Sequence, residues 1–166
     1  MGKMADARSP AMAHVLGMNK LMRWSLVVGA FYVLQAVGMA VLRLPIKTFG
    51  PEGALEMADG GDAVARFLVD TWFTFGLEVA AVGIALLVAS RRTELLRGVA
   101  WTVLGIEVLR GVLNDIVMIA RGIEVPGYLV WIAIHSVVIA TGVAALRAAY
   151  GESTEKVSQD SVPRPR

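Results

Sequence analysis

Seven residues able to exchange protons, pair charges or grip polar groups lie inside apolar runs: Asp70, Glu78, Glu107, Arg110, Asn114, Asp115 and His135. Such groups are expensive in a membrane span. A central Asp, Lys or Arg costs about 2.5–3.5 kcal/mol on insertion scales. The four carboxylates and one guanidinium sum to −3 when ionised with the imidazole neutral. The set therefore predicts a proton on Glu78 or Glu107, or a bound cation. At about 100° per residue, Glu107, Arg110, Gly111, Asn114 and Arg121 share one helical face, with Asp115 at its edge. Arg110 can then pair with Glu107 or Asp115. On the preceding run Thr71, Thr74 and Glu78 share a face, and Asp70 lies about 80° from Glu78. Hydrogen bonds between spans can also serve only as glue, worth about 0.6–2 kcal/mol each. Seven polar groups in one layer favour a binding pocket over glue. His135 taken alone reads as a hydrogen-bonded core histidine. No His-Glu-x-x-His spacing occurs, so neither a metal nor another cofactor is expected.

These residues must be positioned by membrane helices. The 166 residues are 56% hydrophobic and 18% charged, with mean hydropathy +0.62. Soluble domains carry about 25% charged residues. The net charge of +2 is spread along the chain, which leaves no nucleic-acid footprint. With no cysteine, disulfides, thiolate metal sites and thiol redox chemistry are excluded. Four runs are long enough to cross a bilayer, at residues 24–42, 67–89, 95–120 and 128–146. The expected fold is an all-α integral membrane four-helix bundle over residues 24–147, with Trp24, Tyr128 and Trp131 near the span ends. The glycines within the spans are expected to permit close helix packing. The polar residues fall in the central or outer layer, while the inner stretches "AAVGIALLVA" and "VVIATGVAAL" are plain.

Eleven Lys and Arg residues fall on the side of the termini and the second-to-third connection, against four on the other. Both termini are therefore expected in the cytoplasm. The first run could serve as a signal peptide, but its 19 residues exceed a usual apolar region, so an uncleaved span is expected. Residues 1–23 form the N-terminal segment, with His14 exposed. Residues 43–66 form an acidic outer loop in which "EGALEMA" could be a short helix. Residues 148–166 read as a disordered polar tail.

The text "VDTWFTFGLEVAAVGIALLVASRR…VAWTVLGIEVLRGVLNDIVMIARG", from Val69 to Gly122, continues in style into "YLVWIAIHSVVIATGV". It resembles the BphX-like family over roughly residues 24–147. The DoxX-like group of four-span proteins is similar in style. The BphX-like resemblance implies a small bacterial inner-membrane protein with four predicted spans, from gene clusters for degrading biphenyl and related aromatics. It implies no catalytic residue. The leading expectation is a binding or transport-accessory protein, not an enzyme, with a pocket for a small amphipathic or aromatic molecule. In that reading Glu78 and Glu107 gate protonation, Arg110 holds a polar group, and His135 and Asn114 orient it. The alternatives are a quinone-interacting subunit of a membrane redox complex and a purely structural partner-binding bundle. A homodimer or a membrane-complex partner fits any of them. A small drug/proton antiporter keeps a Glu in its first span, where this chain has only Gln35.

Overall fold

The computed structural model describes the backbone of residues 10–123 and 125–160, and the side chains of 16–48, 50–123 and 125–150. Every regular element among them is helical. Helix α1 (Pro10–Ala36) runs into a π-helical turn, π1 (Val37–Val41). Two short helices follow, α2 (Leu44–Phe49) and α3 (Ala54–Asp59), then the long α4 (Ala63–Ala89). Helix α5 (Thr93–Ile106), the π-helical π2 (Glu107–Leu113) and α6 (Asn114–Ala120) form one continuous run, because Ile106 and Leu113 both keep right-handed helical angles. Helix α7 (Val125–Asp160) ends the fold.

Three stretches are long and apolar enough to cross a membrane: Leu16–Val41, Ala63–Ala89 and Val125–Tyr150. They are compatible with a membrane protein. The α5–π2–α6 run matches them in length but carries Glu94, Arg97, Glu107, Arg110 and Asp115, and so differs from them in polarity.

Several element boundaries differ from those the sequence suggests. Helix α1 is already helical at Pro10, the first described residue, well ahead of Trp24 where the apolar run begins. Asp62 caps α4, its Oδ1 accepting from Ala65 N at 2.8 Å, so that helix begins at Ala63 and not near residue 67. The connection 43–66 is largely helical, and "EGALEMA" does contain a helix, α3. Arg43, in the left-handed conformation at φ 53°, turns the chain out of π1, and Pro45 sits in the first turn of α2. The stretch 148–160, expected to be a disordered tail, continues α7 as helix. Its Ala, Glu and Lys residues favour helix, and Gly151 alone costs only about 1 kcal/mol against Ala. Residues 161–166 and the side chain of His14 lie outside the described residues.

The apolar core sits at the end where residues 90–92 join α4 to α5. Leu21, Trp24, Leu86, Leu96, Leu104 and Leu146 are buried there. Trp24 is thus a core residue and not an interface anchor: a Cβ on Gly142 would lie 2.7 Å from its ring. Helix α1 crosses α4 at Gly29 and Gly83, where a Cβ on either would lie about 3 Å from the carbonyl oxygen of the other. Gly98 and Gly105, by contrast, meet nothing within 4 Å among the described residues, so the packing role expected for them is not found there. Arg97 pins the same end, donating from Nη2 to Ala149 O at 2.7 Å and lying 4.7 Å over the Tyr150 ring. The opposite end, which carries α2 and α3, is left for the polar residues.

Candidate functional site

The polar site is built on π2. In an α-helix, residues eight apart drift by about 80° around the axis. A π-helical stretch holds more residues per turn, and the drift closes. Glu107, Gly111 and Asp115 therefore stand in one buried column, with Glu107 3% and Asp115 5% exposed. Asp115 is consequently on the inner face and not at its edge, while Asn114 is exposed beside it.

His135 on α7 packs flat against this column. A Cβ on Gly111 would lie 2.6 Å from its Nδ1, so only glycine lets the ring sit there. Its Nδ1 lies 2.7 Å from Glu107 Oε2, and its Nε2 lies 3.6 Å from Asp115 Oδ2. Trp131, one turn away on α7, has its ring centroid 6.0 Å from the imidazole. The close contact is satisfied either by Nδ1–H donating to an ionised Glu107 or by a protonated Glu107 donating to Nδ1. With both carboxylates ionised and the ring neutral, the trio sums to −2, so it is electroneutral only when it holds two further positive charges, as protons or bound cations. Asp115 Oδ2 has no hydrogen-bond partner among the described residues.

Arg110 makes neither pairing expected of it. It reaches from π2 to α4, forms an ion pair with Glu78, and lies 4.3 Å over the Phe75 ring. Both members of the pair are 50% exposed. Asp70 joins none of this: it is exposed and lines neither of the two cavities at the site. On the α4 wheel Phe75 lies about 140° from Asp70, and Glu78 sits between them. Glu78 therefore reaches the interior edge, whereas Asp70 turns away from it.

The two cavities meet at His135. The first, of about 430 Å³, is bounded by Tyr32, Phe75, Glu78, Glu107, Arg110 and Gly111 among others. The second, of about 270 Å³, lies toward α2 and is bounded by Met39, Trp72, Asn114, Asp115, Tyr128 and Trp131 among others. Gln35, Phe75 and His135 line both. His135 is thus a septum with Glu107 on one side and Asp115 on the other. In the first cavity the hydroxyl of Tyr32, itself 6% exposed, has no hydrogen-bond partner among the described residues. Two other buried atoms without partners, Trp24 Nε1 and Ser25 Oγ, are on residues that line neither cavity.

The profile of the BphX-like family matches residues 18–151. The chain belongs to the BphX-like family. No curated protein and no solved structure matches it. All the residues that line the two cavities fall inside the matched stretch of this BphX-like protein. Residue pattern alone does not single out Tyr32, Trp72, Phe75 or the specific role of Gly111, although signals for most of them are present. Tyr32 and Gln35 are three apart on one face of α1. Trp131 and His135 are four apart on α7. Glu107, Gly111 and Asp115 recur every four residues.

Proposed function

We propose that this BphX-like protein is a small-ligand binding or transport-accessory protein. Its ligand is a small amphipathic molecule with an aromatic head. The observation that carries this reading is Asp115 Oδ2: a buried carboxylate oxygen 3.6 Å from His135 Nε2 and with no hydrogen-bond partner among the described residues, on a cavity walled by Trp72, Phe75 and Trp131. An apolar cavity with a few convergent polar groups is the ordinary form of a ligand site. A buried acceptor left unmatched costs about 1–3 kcal/mol, which a donor on the ligand recovers. In this reading Asp115 accepts from the ligand's hydroxyl. His135 and Asn114 orient it, Glu107 and Glu78 hold protons, and Arg110 closes the neighbouring cavity.

The setting we propose is the bacterial inner membrane. The α5–π2–α6 run crosses as a fourth span, giving a four-helix bundle with both termini in the cytoplasm and α2 and α3 outside. The eleven-to-four bias of Lys and Arg supports this orientation. Thermal-shift measurements with a phenolic probe test the site. Arg110→Ala and Glu107→Gln are expected to diminish the probe-induced shift. A wild-type shift in both variants, at wild-type stability, removes these two residues from the site. A second reading, a quinone-interacting subunit of a redox complex, is favoured by His135 standing between two carboxylates, groups able to exchange protons with a quinol. Purification in mild detergent with neither a partner nor a bound quinone would count against it.

A further inference from the structure

The first cavity opens sideways. Helix α4 packs along α1 and touches α5, yet among the described residues none of its Cα atoms lies within 8 Å of one in π2 or α6. The two walls part toward the α2 end, and the gap between them is spanned only by side chains. Arg110 reaches across to Glu78 and rests on Phe75. Glu78 is near the middle of Ala63–Ala89, one of the three membrane-capable stretches, so the gap opens at mid-membrane depth. A half-exposed ion pair facing hydrocarbon is costly. It is understandable as the latch of an opening that receives a polar head.

The walls fit a long apolar chain. Leu109, 66% exposed, and Gly105 line the cavity on one side, and Val79 and Val82 line it on the other. Thr102 presents no free donor, because its hydroxyl donates to Gly98 O within its own helix. The polar atoms lie at the inner end: Glu107, and the Tyr32 hydroxyl that has no partner among the described residues.

We propose that the gap between α4 and π2 is a lateral portal, through which an aromatic alcohol carrying a long alkyl chain passes from the bilayer to the His135 site. The inference rests on the binding function proposed for the Asp115 cavity, and it adds the neighbouring cavity as a second subsite, with its route and its class of ligand. Glu78 and Arg110 are the latch. The hydroxyl-bearing ring advances toward Tyr32 and Glu107, and the chain trails into lipid. The second cavity admits only small molecules, from the side of α2 and α3.

The absence of cysteine makes the test clean. Glu78→Cys with Arg110→Cys places the only two thiols at the portal. A short bis-maleimide bridges them, and N-ethylmaleimide caps them without closing the gap. Displaceable binding of tritiated phenol and tritiated 4-dodecylphenol is measured in phosphatidylcholine nanodiscs. Wild type is expected to bind both. The capped protein lacks the ion pair as the bridged one does, so it is the reference for both probes and carries any loss due to Glu78 and Arg110 themselves. Relative to the capped protein, the bridged protein is expected to lose dodecylphenol affinity by about tenfold or more, while phenol changes by less than about twofold. Leu109→Trp, which fills the portal and leaves the ion pair intact, is expected to reproduce the selective loss. Undiminished dodecylphenol binding in both the bridged protein and Leu109→Trp overturns the portal, as does bridging that joins two chains instead of one. Wild type that binds phenol alone also refutes the portal. Wild type that binds neither probe refutes the binding function itself.

Discussion

His135 holds the site together because the backbone beneath it has no side chain. Its ring occupies the space a Cβ at Gly111 would need, and from there it meets Glu107 at 2.7 Å and Asp115 at 3.6 Å. Gly111→Ala is therefore expected to destabilise the protein by about 1–3 kcal/mol, the usual cost of overpacking. The same substitution made with His135→Ala is expected to cost much less, since the clash has been removed. Thermal unfolding of the four proteins in detergent checks this, and an equal penalty in both backgrounds would contradict the packing described. That charges converge somewhere in these spans is legible in the sequence, because buried charge is expensive and needs partners. The partners themselves are not. The wheel at 100° per residue leads to Arg110 pairing with Glu107 or Asp115, and places Asp115 at the edge. The π2 segment alters that phase, and Arg110 goes to Glu78.

Helix packing in this fold depends on which glycines meet a neighbouring backbone. At Gly83 a Cβ would lie 2.9 Å from Gly29 O, and neither backbone can yield cheaply. Gly83→Ala is expected to lower stability by about 1–3 kcal/mol. Gly98→Ala and Gly105→Ala, where a Cβ meets nothing within 4 Å, are expected to cause no loss. The opposite ordering of melting temperatures would contradict the α1–α4 crossing. Composition makes all of these glycines look alike, and only the crossing geometry separates them. The long apolar helices are legible from hydropathy, and α3 from its local sequence. The start of α4 at Ala63 is obscured by polar Asp62 and Arg66, which read as loop until Asp62 is seen to cap the helix and Arg66 Nε to donate to Ala58 O at 2.9 Å.

The whole molecule divides into a packed apolar end and a cavity-bearing end. This division follows from the plain inner stretches of the second and fourth apolar runs, and in that coarse form it is legible in the sequence. What no pattern of residues conveys is the gap beside α4, which depends on how far two helices part. Under the orientation proposed, a C-terminal fluorescent protein should be bright and a C-terminal alkaline phosphatase inactive, because the tail stays in the cytoplasm. Robust phosphatase activity would invert the topology and place the second cavity on the cytoplasmic side.

The central claim is that Asp115 supplies the unmatched acceptor of a ligand site. Its most direct test is equilibrium binding of phenol to wild type and to Asp115→Leu in nanodiscs, with thermal stability followed in parallel. The account predicts saturable binding to wild type and a loss of about tenfold or more in the variant. It also predicts melting close to wild type, because the apolar side chain removes the unmatched acceptor together with its 3.6 Å attraction to His135. Wild-type affinity in Asp115→Leu, or no saturable binding to wild type, would contradict it.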